Sequence, residues 1–148
     1  MDEAINFKQL RELVRVLERE LGALEDCQFN CCGFTIAQCH ALVEIGRSEN
    51  ISLNRLADLL NLDNSTMCRR VNDLVNSKLA KREYEEHDRR SITISLTETG
   101  KNICKDIEEN MDLYFRKVFS AIPENKRSDV LESVQVLLEA INKINSRA

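Results

Sequence analysis

The sequence predicts a mainly α fold with a small β-wing, a winged helix-turn-helix set between N- and C-terminal dimerisation helices. Three observations carry this. Both ends of the chain space apolar residues at alternating steps of three and four, the middle holds two short helical patterns joined by about four residues, and two alternating strand-like runs follow directly.

The first seam runs Leu10, Val14, Leu17, Leu21 and Leu24, with Leu13 beside it and charges between. That is a helix with one apolar stripe. The last runs Val130, Val134, Leu137, Ile141 and Ile144, broadened by Leu131 and Leu138, and Pro123 suits the first turn of its helix, where a missing N–H costs nothing. Seams of this kind at both chain ends favour a dimer interface. The alternative is that they cover a single monomer core, as in ordinary bundles.

Between them, Thr35 and Gln38 have capping-box spacing and lead into an apolar run, Ile36 to Ile45, that ends at Gly46. Ser52 can cap a helix over 53–60, with Leu53, Leu56, Ala57, Leu59 and Leu60 at helical spacing. Asn61 to Asp63 break it, and Asp63 or Asn64 can cap a further helix through Met67, Val71, Leu74 and Val75. The second of these two short helices begins with small polar side chains and carries Arg69 and Arg70, the organisation of a helix-turn-helix. Residues 80–84 and 91–96 then read as strands, because Ile92, Ile94 and Leu96 alternate with Thr93 and Ser95, with a charged turn over 85–90. A hairpin in that place is a wing, whose arginines can reach a minor groove. Thr97 caps another helix, from about Glu98 to Ser120.

Composition agrees. The 148 residues are 43% hydrophobic and 31% charged, with four glycines and one proline, which suits one helix-rich domain with appended helices and excludes disorder or a two-domain enzyme. No apolar stretch is long enough to span a bilayer, and the start at Met1 and Asp2 lacks a signal peptide's basic and apolar regions, so a cytoplasmic location with no membrane partner is expected. A net charge of −4 argues against indiscriminate nucleic-acid binding. Residues 69–90 nevertheless carry seven Arg and Lys against five Asp and Glu, leaving this segment at +2 and the remainder at −6.

The order of elements resembles the MarR family of winged-helix regulators over nearly the whole chain. Ser65 to Leu74 resembles that family's recognition helix, Asp88 to Ser91 its wing-tip motif, and Leu96 to Gly100 the start of its post-wing helix. The resemblance implies that Ser65, Thr66, Arg69 and Arg70 face the major groove or its phosphates, and that Arg89 and Arg90 serve the wing, Arg90 entering the minor groove with Asp88 supporting it. Hydroxyls and N–H groups at a helix N-terminus suit phosphate oxygens, and arginine can pair with guanine. For any one arginine the plain alternative is a solvated surface charge. One position departs from the family pattern: Lys78 precedes Leu79 where a glycine usually ends the recognition helix, and a non-glycine residue in a left-handed cap costs roughly 1 kcal/mol.

Cys27, Cys31, Cys32 and Cys39, followed by His40, lie within fourteen residues. Three readings stand for them: a core cysteine with incidental thiols, a zinc or soft metal or metalloid site, and a thiol redox switch. The spacing matches no zinc ribbon. In MarR-type regulators effectors commonly act between the dimerisation helices and the DNA-binding lobe, which makes this a sensor candidate. Cys68 reads as a packing residue of the recognition helix, and His87 as a surface residue or phosphate neighbour in the wing turn.

The expected organisation is therefore a helical dimerisation region over 1–34 and 120–148, and a winged-helix DNA-binding domain with a connecting helix over 35–119. The expected function is that of a transcriptional regulator, a repressor that binds double-stranded DNA as a homodimer on a palindromic operator and answers a small effector. The alternative is a helical dimeric protein-interaction module without DNA binding. No phosphate loop, nucleophile elbow or C-x-x-C motif points to an enzyme.

Overall fold

A computed structural model describes residues 3–29, 36–85 and 88–146. In chain order these form α1 (Glu3–Phe29), α2 (Ile36–Ser48), β1 (Ile51–Ser52), α3 (Leu53–Leu59), α4 (Asn64–Asn76), β2 (Ala80–Glu85), β3 (Asp88–Leu96), α5 (Glu98–Ala121), a 3-10 turn (Glu124–Lys126) and α6 (Arg127–Asn145). The chain divides into two compact units, Met1–Glu108 and Glu109–Ala148, with the boundary inside α5. The mainly helical winged helix-turn-helix is the fold observed.

The first unit is built around a core of α2, α3, α4, the sheet and the first half of α5. Leu42 and Ile45 of α2, Leu56 of α3, Met67, Val71 and Leu74 of α4, and Ile94 of β3 are almost wholly removed from solvent. Burying a side chain of this size contributes about 1.5–3 kcal/mol each, so this cluster is the main stabilising feature of the lobe. The sheet is antiparallel in the order β1-β3-β2, with Ile51 paired to Ile94 and Lys81 to Ser95. Two-residue β1 is absent from the sequence reading: a run that short has no periodicity to detect, and it forms because its backbone completes the edge of β3.

The second helix runs to Ser48, two residues beyond the expected end at Gly46. The glycine is there for packing, not termination. A Cβ at Gly46 would stand 2.7 Å from Cys104 Sγ and 3.1 Å from a Leu96 methyl, so only a residue without a side chain lets α2 lie this close to α5. Arg47 Nη2 reaches Glu108 Oε1 at 3.0 Å beside that contact. Cys104 is buried there, and burial followed by the nearby Glu108 carboxylate pushes its thiol pKa up against the smaller opposing effect of Arg47.

Pro123 does not sit in the first turn of α6 itself. It caps the 3-10 turn that precedes α6. Arg127 closes the end of α5: its Nε donates to the carbonyls of Phe119 and Ile122, both at 3.1 Å, and its guanidinium stacks 5.1 Å from the Phe119 ring centre. These bonds satisfy carbonyls that a helix C-terminus leaves without intrahelical donors. In α6 no residue is buried, and Val130, Leu131, Val134, Ile141 and Ile144 remain exposed. In α1, Leu10, Leu13 and Leu17 are likewise exposed, while Val14 and Leu21 are half-buried.

Candidate nucleic-acid interface

Two turns fix the helix-turn-helix. Helix α3 is started by Ser52, whose Oγ accepts the Arg55 N–H at 3.1 Å. It ends in a paired turn: Asn61 takes the left-handed conformation (φ 53°), its N–H donates to the Asp58 carbonyl and the Leu62 N–H donates back to Ala57 at 2.9 Å. Asparagine tolerates that conformation better than most residues. Asp63 then caps α4, accepting the Thr66 N–H at 2.6 Å. The backbone and hydroxyl hydrogen bonds from Thr66, and more weakly the charge of Arg69, hold the Asp63 carboxyl below the usual carboxylate range.

The far end of α4 repeats the device with a residue that resists it. Lys78 is left-handed (φ 63°), its N–H donates to Val75, and the Leu79 N–H reaches Leu74 at 2.9 Å. The turn usually closed by glycine is therefore retained in full, and the strain is tolerated. Buried Leu74 and Leu79 supply the accompanying apolar contact.

With Met67, Val71 and Leu74 turned into the core, helical spacing turns Ser65, Arg69, Asn72 and Asn76 outward. Ser65, Arg69 and Asn76 are exposed, whereas Thr66 and Arg70 are half-buried on one flank and Cys68 on the other. The central polar stripe thus contains two of the four expected recognition residues, Ser65 and Arg69, with Thr66 and Arg70 at its margin. Asn76 joins them beyond the sequence reading, although its position eleven residues after Ser65 and seven after Arg69 marks it. The link from wing to helix is also new: Arg82 Nη2 on β2 donates to Asn72 Oδ1 on α4. Such a pair is invisible to local pattern because the fold, not the spacing, brings it together.

The wing is longer than expected. Asp88, Arg89 and Arg90 begin β3 instead of lying in the turn, and Glu85 pairs with Asp88 after a register shift next to Tyr84. Charged residues hide the strand from a periodicity test, but a hairpin is held by its backbone ladder and needs no apolar alternation at its tip. His87 lies outside the described residues.

The cysteine group is described only in part. Cys31 and Cys32 lie outside the described residues, and Cys27 falls in the last turns of α1. Cys39 is 1% exposed in α2, whereas His40, the next residue, is exposed. Among the described residues no group of three His, Cys, Asp or Glu side chains could hold a metal ion. No helix among them is long and apolar enough to cross a membrane.

Residues 33–91 match the MarR family. The HTH-type transcriptional regulator SarZ of Staphylococcus aureus is 26% identical over 122 residues, covering 81% of this chain and 76% of that one. A MarR transcriptional regulator from Methanosarcina mazei superposes with a TM-score of 0.79 at 25% identity, covering 93% of this chain and 99% of the other. Streptococcus pneumoniae FabT, solved in complex with DNA, superposes with a TM-score of 0.85 over the same shares of the two chains at 17% identity. Over its winged-helix region the chain matches the MarR family, and over nearly its whole length it has the winged-helix fold of the MarR transcriptional regulator it superposes on.

Proposed function

We propose that the chain binds double-stranded DNA sequence-specifically as a homodimer on a palindromic operator and represses transcription there. The observation that carries this reading is the polar stripe of Ser65, Arg69 and Asn76 on α4, set beside a hairpin whose β3 begins Asp88, Arg89, Arg90. The stripe presents hydroxyl, guanidinium and amide groups, the side chains that pair with base edges and phosphates. Arg90 enters the minor groove, Asp88 supports it, and Arg89, Arg70 and Thr66 contact flanking phosphates. FabT's crystallisation with DNA supports the same use of a similar fold.

Dimerisation is supported by the exposed apolar rows of α1 and α6, since rows of exposed apolar side chains mark interaction surfaces. A two-fold dimer puts two α4 helices in successive major grooves, about 34 Å apart. The effector reading rests on α2, which contacts both α1 and α4 and buries Cys39. A thiol-reactive, metal or metalloid signal at Cys27, Cys31, Cys32, Cys39 and His40 would displace α2 and with it α4. It would shift the population by favouring one helix separation over the other.

The test is selection of duplexes from a random pool by the reduced protein. An inverted repeat with half-sites about one helical turn apart, bound by two chains, is the expected result. Enrichment of no sequence over a random duplex at physiological salt overturns the reading. A fluorescence-anisotropy titration with Zn²⁺, arsenite or a thiol oxidant then tests the cysteine group, for which release by one of them is expected.

A further inference from the structure

The wing root carries a feature that DNA contact does not use. On the sheet face opposite the Arg82 side chain, a cleft of about 520 Å³ opens between the end of α2, the sheet and the start of α5. That volume suits a small ligand. Its floor holds Ile45, Leu96 and Ser95. Ser95 is 8% exposed, and its hydroxyl has no hydrogen-bond partner among the described residues. Buried hydroxyls are nearly always paired, so one without a protein partner that lines a cleft is available to a polar atom of a ligand.

The walls are charged, with Glu49 after α2, Lys81 and Glu83 on β2, and Lys101 on α5. Lys81 is paired with Ser95 across the ladder, which sets ammonium and hydroxyl side by side as donors, while Glu49 adjoins the β1 edge of the sheet, on the other side of β3. The Lys81–Glu83 and Lys101–Glu98 pairs, each at 3.4 Å, are exposed and open at little cost.

We propose that this cleft binds a small zwitterion of the amino-acid class, with one ammonium and one carboxylate on a short aliphatic body. The charge pattern selects that class. The four charged walls sum to zero, so a simple anion meets Glu49 and Glu83 unfavourably and a simple cation meets the two lysines unfavourably. A zwitterion satisfies both, its carboxylate accepting from Lys81, Lys101 and the Ser95 hydroxyl and its ammonium donating to Glu49. The methylene stems of Lys81 and Lys101 lie along the aliphatic part.

The experiment is amide chemical-shift titration of the full chain with each standard L-amino acid, alongside the matching amine and the matching carboxylic acid of the same carbon skeleton. At least one amino acid is expected to shift the Lys81 and Ser95 amides saturably, and each one-charge analogue to bind at least about tenfold more weakly. Ser95→Ala is expected to weaken binding several-fold while leaving the melting temperature of the free protein unchanged or higher, because the hydroxyl it removes is unpaired. No saturable shift with any amino acid, equal binding of a one-charge analogue, or undiminished binding by Ser95→Ala overturns the proposal. None of these readouts depends on DNA binding, so this site and the DNA-binding function fail or stand separately.

Discussion

The Thr97 hydroxyl donates to the Lys78 carbonyl at 2.7 Å and accepts the Gly100 N–H at 3.1 Å. The Thr97 N–H donates in turn to the Leu79 carbonyl at 3.0 Å. One residue therefore caps α5 and clamps the end of α4, and Gly100 is required because a Cβ there would fall 2.0 Å from the Leu79 carbonyl oxygen. Thr97→Val keeps the shape and deletes the hydroxyl. It is expected to cost about 1–3 kcal/mol in urea unfolding, since two partners lose their bond at once. A midpoint equal to the parent's would show that the clamp contributes nothing.

Lys78 holds its left-handed conformation against its own Cβ. Lys78→Gly is expected to stabilise the chain by roughly 1 kcal/mol, because glycine takes this conformation without the steric penalty. Loss of stability in thermal melts would mean that the lysine side chain contributes more than the strain costs.

At the α2–α5 crossing, Gly46→Ala forces a methyl onto Cys104 Sγ and the Leu96 side chain. The expected loss is about 1–3 kcal/mol, as for other overpacked cores. Adding Cys104→Ala removes the sulfur and should recover part of that loss. Strict additivity of the two changes in a double-mutant cycle would place the strain elsewhere.

These sites mark where sequence reading succeeds and where it stops. The helix-turn-helix is legible because each boundary has local chemistry: Ser52 and Asp63 as caps, Asn61 to Asp63 as the break between the helices, and an apolar stripe of Met67, Val71 and Leu74. The odd cap at Lys78 is marked only by the resemblance, as the place where a glycine usually ends the recognition helix. Gly46 passes for a terminator because a glycine needed for close approach resembles one needed for a turn. The Arg82–Asn72 contact and β1 depend on residues brought together by the fold, and the first residues of β3 lack any apolar alternation. Outward-facing Asn76 lies within reach of sequence reading, by extending the helical spacing that marks Arg69.

The cap at α4 predicts a pH dependence. The Asp63 carboxyl is held below its unfolded value by the Thr66 hydrogen bonds, so the folded state favours the ionised form. Its contribution is fully present above the unfolded carboxylate value of about 3.9 and is lost as pH falls through the lower folded value. Asp63→Ala should lower the melting temperature at neutral pH and show a smaller further decline on acidification. Asp63→Ser should retain much of the neutral-pH stability, since a hydroxyl can accept the same N–H. A parent and an Asp63→Ala protein whose stability curves run parallel below a pH of about 5 would show that the cap carries no pH dependence.

Arg69 and Arg90 separate the two parts of the proposed DNA interface. Arg69 stands exposed at the centre of the outward α4 stripe, where a base contact would be made, while Arg90 belongs to the first residues of the wing strand. Arg69→Ala is expected to weaken binding of the selected duplex by about 1–3 kcal/mol and to relax preference at one base-pair position in each half-site, as removal of a paired bond to guanine does. Arg90→Ala is expected to weaken binding several-fold. The slope of log K against log salt should fall by roughly 1 for each phosphate that the protein no longer neutralises. Anisotropy titrations at a series of salt concentrations measure both. Unchanged affinity of Arg90→Ala at physiological salt would sink the wing assignment, and an Arg69→Ala protein that weakens on all sequences alike would turn that arginine from a base reader into a phosphate contact.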